Sequence, residues 1–123
     1  MKKFILFSFF ASMVLVNTAF ASGTSSASIG IYDTYAKGQI TPMDGTVKVS
    51  GSNAKTSTNE LWIELYRDDG TFWSYDSRVS GSQAAVGGSV NFSSSVKSDK
   101  YYIWLDPDGP DYKGCSGSGK AVN

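Results

Sequence analysis

The 123-residue chain contains no histidine and a single cysteine, Cys115. Without histidine, the commonest general base and the commonest transition-metal ligand are both missing. One cysteine cannot form a disulfide within the chain, so the fold must stand on its core alone. Cys115 is read either as a small, partly buried residue or as the anchor of an intermolecular disulfide. Neither charge predominates: 11 Lys and Arg face 11 Asp and Glu. Nucleic acid and anionic membranes both call for clustered cations, so neither is an expected partner. No G-x-S-x-G nucleophile motif occurs, and no stretch has helical periodicity.

The one long apolar run lies at the start. Lys2 and Lys3 precede an apolar segment over residues 4–16, and Ala19-Phe20-Ala21 follows in the small-x-small pattern that signal peptidase reads. The run is too short to cross a bilayer. Residues 1–21 are therefore expected to be a secretory leader cleaved after Ala21. Residues 22–123 are expected to form one domain, extracellular or periplasmic, with no stable membrane insertion.

Beyond the leader, apolar residues alternate in short runs separated by Gly, Ser, Asn and Asp. This is the pattern of half-buried strands. Strands are expected near residues 27–32, 35–40, 46–50, 61–67, 71–79, 89–96 and 100–106, with an edge strand within 112–122. Turns are expected at 41–45 and 106–110, a polar loop at 51–59 and a flexible segment at 81–88. About seven or eight strands at this spacing imply an all-β, antiparallel β-sandwich of Greek-key type, with a small β-barrel as the alternative. The stretch VKSDKYYIWL, residues 96–105, resembles the loop and strand found late in immunoglobulin-like and fibronectin-like domains. That resemblance implies that the strands at 61–67 and 100–106 are neighbours in one sheet.

The hairpin around Asp68-Asp69-Gly70 can be registered in two ways. A two-residue loop would set Asp76 and Arg78 on the same face as Leu61, Ile63 and Leu65, burying two charges against leucines. A three-residue loop, with Gly70 in the left-handed position, reverses the faces. Leu65 then meets Trp73, Ile63 meets Tyr75 and Leu61 meets Ser77 on the core side. Tyr66 meets Phe72, Glu64 meets Ser74, Trp62 meets Asp76 and Glu60 meets Arg78 on the outer side. The second register is the expected one. In the later strand, Tyr101, Ile103 and Leu105 face the core.

These placements gather Trp62, Tyr66, Tyr102 and Trp104 on one outer face, rimmed by Glu64, Asp76 and Arg78. Aromatic faces stack on sugar rings, and polar groups at their edge can bond hydroxyls. The expectation is a non-catalytic binding module for polysaccharide or a cell-surface component. Two other readings compete with it: a self-associating or antimicrobial, toxin-like protein, and a patch covered by residues 29–40. Glu64 and Asp76 are a conceivable carboxylate pair, but an open sheet face gives little enclosure to tune them, so no enzymatic activity is expected. Asp106, Asp108 and Asp111 have oxygen ligands suited to Ca²⁺, yet Asp-Pro-Asp-Gly is ordinary turn chemistry and lacks the EF-hand pattern. No cofactor is expected. The product is expected to be a monomer or weakly self-associating.

Overall fold

The computed structural model describes residues 23–71, 75–108 and 112–123. The expected leader lies outside these residues, as do Phe72, Trp73, Ser74 and Asp111. Among the described residues there are seven strands and no helix: β1 (Thr24–Ile29), β2 (Ala36–Lys37), β3 (Thr41–Asn53), β4 (Glu60–Arg67), β5 (Ser77–Ala84), β6 (Ser89–Asp108) and β7 (Gly117–Val122). All pairings are antiparallel, and the strand order is β1-β7-β3-β6-β4-β5, with β2 beside β6. The order has two ends, so the sheet does not close into the alternative barrel.

The sandwich arises because β6, at 20 residues, belongs to both layers. Its first half pairs with β3, from Ser89 opposite Ser52 to Tyr101 opposite Thr41. Its second half pairs with β4, from Tyr101 opposite Arg67 to Asp108 opposite Glu60. At the handover the β3 register slips between Met43 and Gly45, and Gly45 takes φ 89°. A bulge with a left-handed glycine lets a strand bend sharply, and here it turns the sheet over on itself. Arg67 bridges to Asp99 at 3.2 Å beside the bend.

Alternation puts one face of each strand inside. Leu61, Ile63 and Leu65 from β4 and Ile103 and Leu105 from β6 meet Val47, Val49 and Ala121 from the opposite layer in a single core. Glycines hold the layers close. A Cβ on Gly51 would lie 2.5 Å from Ile63 Cδ1, and one on Gly119 would lie 2.9 Å from Leu105 Cδ2. Cys115 is wholly buried in the same cluster, its thiol donating to the carbonyls of Asn59 at 3.1 Å and Glu60 at 3.3 Å.

Several local expectations are corrected. Residues 41–45 are not a turn but the start of β3, and β3 runs on to Asn53 through the first three residues of the expected polar loop. Residues 89–96 and 100–106 are one strand, and Pro107 lies buried opposite Leu61 within it rather than in a turn. The last strand is no edge: β7 lies between β1 and β3.

The largest correction concerns the hairpin. β4 pairs with Ser77–Ala84, which overlaps the expected strand only at residues 77–79, so Leu61, Ile63 and Leu65 face Ala84, Ser82 and Ser80. At Asp68-Asp69-Gly70 the glycine does take the expected left-handed conformation, φ 80°, but the amides before it are taken by acceptors outside a tight hairpin. The Asp68 N–H donates to Lys100 O at 2.8 Å, and the Asp69 N–H donates to Asp76 Oδ1 at 2.9 Å. Tyr75, expected in the core, is 97% exposed. Trp73 and Phe72 lie outside the described residues. Arg78 faces Tyr66 rather than Glu60, and residues 81–84 of the expected flexible segment are strand.

Candidate functional site

The expected adjacency of residues 61–67 and 100–106 is present, and it assembles the outer face row by row. Trp62 lies opposite Asp106, Glu64 opposite Trp104 and Tyr66 opposite Tyr102. On the far side of β6, Lys37 of β2 is opposite Trp104. The rings make one contiguous network. Tyr66 stacks on Tyr102 at 5.8 Å, while Trp104 stands 6.0 Å from Tyr66 and 6.3 Å from Tyr102.

Most of these rings are covered by side chains of the chain itself. Tyr35 lies flat on Trp104, with centroids 4.6 Å apart and planes within 6°. The Lys37 ammonium sits 4.5 Å from the centre of the Tyr102 ring, and the Arg78 guanidinium 5.6 Å from that of Trp62. Tyr102 is only 3% exposed. Residues 29–40 therefore do reach the patch, through Tyr35 and Lys37, but they narrow it rather than seal it. Tyr35 is 54% exposed, so the outermost aromatic surface of this face is the tyrosine, with the tryptophan behind it.

Beside the stack runs an open groove of about 580 Å³, lined by Lys37, Tyr66, Tyr75, Asp76, Tyr102, Trp104 and Asp106. Tyr75 forms a second exposed aromatic wall. Sequence reasoning missed Tyr35, Lys37 and Tyr75. The alternation of Tyr35 and Lys37 about Ala36 was a usable signal for the first two, but the wrong hairpin register hid Tyr75.

The carboxylates of the face have distinct surroundings. Glu64 is 7% exposed and accepts from Arg78 Nε at 2.5 Å. Gly81 makes that approach possible, because a Cβ there would lie 2.5 Å from Arg78 Nη2 and 2.8 Å from Glu64 Cγ. Asp76 accepts from Tyr102 Oη at 2.5 Å and from the Asp69 amide, and these two donors hold its carboxyl below the usual range. Burial and the Asp76 charge push the Tyr102 phenol well up. Burial is also the main cause of the raised Asp106 carboxyl, with Glu64 and Asp108 adding like charge.

The proposed pair of Glu64 and Asp76 is thus split, each carboxylate being tied to its own partner. Of the Ca²⁺ candidates, Asp106 and Asp108 lie two apart on β6, Asp108 accepts from Gln83 Nε2 at 2.8 Å, and Asp111 lies outside the described residues. Among the described residues no three acidic or cysteine side chains gather into a metal-binding group.

The opposite layer offers a second concavity, of about 490 Å³, lined by Ser26, Ser28, Ser50, Ser118 and Lys120 over Ala27, Gly51 and Gly119. Small residues line it, and no aromatic ring does. No protein family, curated protein or solved structure matches this chain.

Proposed function

We propose that this chain is a secreted, non-catalytic binding module that holds a glycan in the groove lined by Tyr66, Trp104 and Tyr75, beside the Tyr35 ring stacked on Trp104. The observation that carries this reading is the contiguous aromatic face beside an open groove rimmed with polar groups. Binding sites typically combine apolar and aromatic walls with a few placed polar groups. Tyrosine offers both a flat apolar face and a hydroxyl at low entropic cost. The leader pattern at residues 1–21 supports export, to the periplasm or the medium. The engagement of Glu64 by Arg78 and of Asp76 by Tyr102 supports a structural use of these carboxylates over a catalytic one.

The test is a polysaccharide pull-down with tryptophan fluorescence on the full chain. Tyr35→Ala and Tyr75→Ala should each weaken binding about tenfold or more while far-UV circular dichroism is unchanged. Binding that survives both substitutions together would place the ligand elsewhere.

Protein contact is the second reading. Tyr32 at 85% and Tyr75 at 97% exposure favour it, since tyrosine is enriched at interfaces. Size-exclusion mass measurement separates the two, because self-association through these residues should be lost in Tyr32→Ala or Tyr75→Ala.

A further inference from the structure

The groove already holds a cation of the protein's own. The Lys37 ammonium rests over the Tyr102 ring and makes no ion pair among the described residues. An ammonium on an aromatic face is held by the ring quadrupole, more strongly as water is excluded. The surrounding charges add to this hold. Two carboxylates, Asp76 and Asp106, line the groove against the single cation Lys37.

The two carboxylates differ in what they have left to offer. Asp76 uses one oxygen on Tyr102 and the other on the Asp69 amide. Asp106 makes no side-chain hydrogen bond or ion pair among the described residues, and the nearby carboxylates Glu64 and Asp108 add like charge. The nearest guanidinium, Arg78, is committed to Glu64 and Trp62. A partly buried carboxylate without a counter-charge, beside Trp104 and Tyr66, favours a cation over a neutral group. Lys37 is poorly placed to serve it permanently, because it sits on a two-residue edge strand, is exposed, and carries a flexible stem.

We infer that the groove is a subsite for a positively charged nitrogen. On the glycan reading, on which this inference rests, the ligand is a free-amine amino sugar polymer. Its ammonium lies beside Asp106, against the Trp104 and Tyr66 rings that line the same groove, while a sugar ring stacks on the exposed Tyr75. A neutral or N-acetylated sugar leaves the Asp106 carboxylate without a partner and pays for its desolvation. The Lys37 charge in the same groove therefore opposes the ligand's amine.

The experiment titrates the full chain with a β-1,4-glucosamine hexamer and, separately, with its fully N-acetylated counterpart, by calorimetry and tryptophan fluorescence. The free-amine hexamer should bind at least about tenfold more tightly, and added salt should narrow the gap. Asp106→Asn should weaken free-amine binding about tenfold and tighten binding of the N-acetylated hexamer, which no longer desolvates an unpartnered charge. Lys37→Met keeps the apolar stem but removes the competing charge, so it should tighten free-amine binding severalfold. Equal binding of both hexamers, indifferent to Asp106→Asn and Lys37→Met, overturns the charged-nitrogen subsite and leaves the glycan reading standing. Absence of binding by either hexamer, with the protein folded, overturns the subsite; failure of the broader polysaccharide pull-down then removes the glycan reading as well.

Discussion

The Tyr102 hydroxyl donates to Asp76 Oδ2 at 2.5 Å, joining the middle of the longest strand to the end of the loop between β4 and β5. The same carboxylate accepts from the Asp69 amide at the loop's beginning. Asp76 thus ties both ends of that loop to the aromatic face. A hydrogen bond to a charged group contributes about 1.5–3 kcal/mol, with the lower end apt where water reaches the carboxylate. Tyr102→Phe and Asp76→Asn should each cost about 1–2 kcal/mol in urea unfolding, and the double variant should cost clearly less than the sum. Strict additivity would show that the two residues do not act through each other.

Stability should respond to acid in two opposite steps. The Asp76 and Asp99 carboxyls are held low, by Tyr102 and the Asp69 amide in one case and by the Lys100 amide and Arg67 in the other. Their stabilisation is complete above the ordinary carboxylate pKa of about 3.9 and disappears as pH falls through their lower folded values. Asp106 is raised by burial, so its sign is reversed. The native state takes up that proton first, and stability rises as pH is lowered from neutral toward about 4. The melting temperature should therefore peak in mild acid. Asp106→Asn should melt higher than the unsubstituted protein at pH 7, and the two curves should converge at low pH. A neutral-pH melting temperature unchanged by this substitution removes the argument. A higher-melting Asp106→Asn would mean that the same carboxylate costs stability in the free protein while serving the ligand amine, a familiar tension at binding sites.

Cys115 should be silent in the folded protein. Its thiol is wholly buried, burial raises its pKa, and two main-chain carbonyls accept from it. Only the thiolate is a good nucleophile, so both access and ionisation protect it. Ellman's reagent should label nothing under native conditions and one thiol per chain in guanidinium. Stoichiometric labelling of the native state would instead favour the intermolecular disulfide, which requires Sγ to leave the core.

Strand identity was legible wherever alternation was strong. Leu61, Ile63 and Leu65, then Tyr101, Ile103 and Leu105, and Val47 with Val49 all face inward as their spacing demands. That was enough to bring Trp62, Glu64, Tyr66, Tyr102 and Trp104 to one face. Two things were not legible. The continuity of β6 past Lys97 and Ser98 depends on β3 pairing on both sides of the register shift, Gly45 with Val96 and Met43 with Asp99, which no local pattern in β6 announces. The β4–β5 register was misjudged because both registers weighed assumed a tight turn at Asp68-Asp69-Gly70, and keeping Asp76 and Arg78 off the leucines decided only between those two. The inner face of β5 in fact packs small residues against β4, and the Ser80 hydroxyl hydrogen-bonds to that of Ser94 in the first half of β6. Room for small groups beneath a neighbouring layer cannot be read from one hairpin alone.

The glycines of the two faces should separate packing from site architecture. On Gly51 a Cβ would meet Ile63 Cδ1 at 2.5 Å and the Ser118 carbonyl oxygen at 2.7 Å. One of these is core and the other is backbone, so neither can yield cheaply. Gly51→Ala should cost about 1–3 kcal/mol, as overpacking does. On Gly81 the nearest atoms belong to the Arg78 guanidinium and the Glu64 stem. A long side chain can swing away, so the backbone is spared. Gly81→Ala should therefore cost less than Gly51→Ala in urea unfolding, but it should push Arg78 off Glu64 and Trp62. That leaves Glu64, 7% exposed, without its partner. Arg78→Ala should reproduce the same penalty, and combining it with Gly81→Ala should add little. The sharper readout is spectroscopic: release of the guanidinium from the indole should alter Trp62 emission in Gly81→Ala and Arg78→Ala alike, and in neither variant once Trp62 is replaced by Phe. If Gly81→Ala is the costlier of the two alanines and Trp62 emission stays fixed, Gly81 is needed by the strand itself and not by the arginine lying across it.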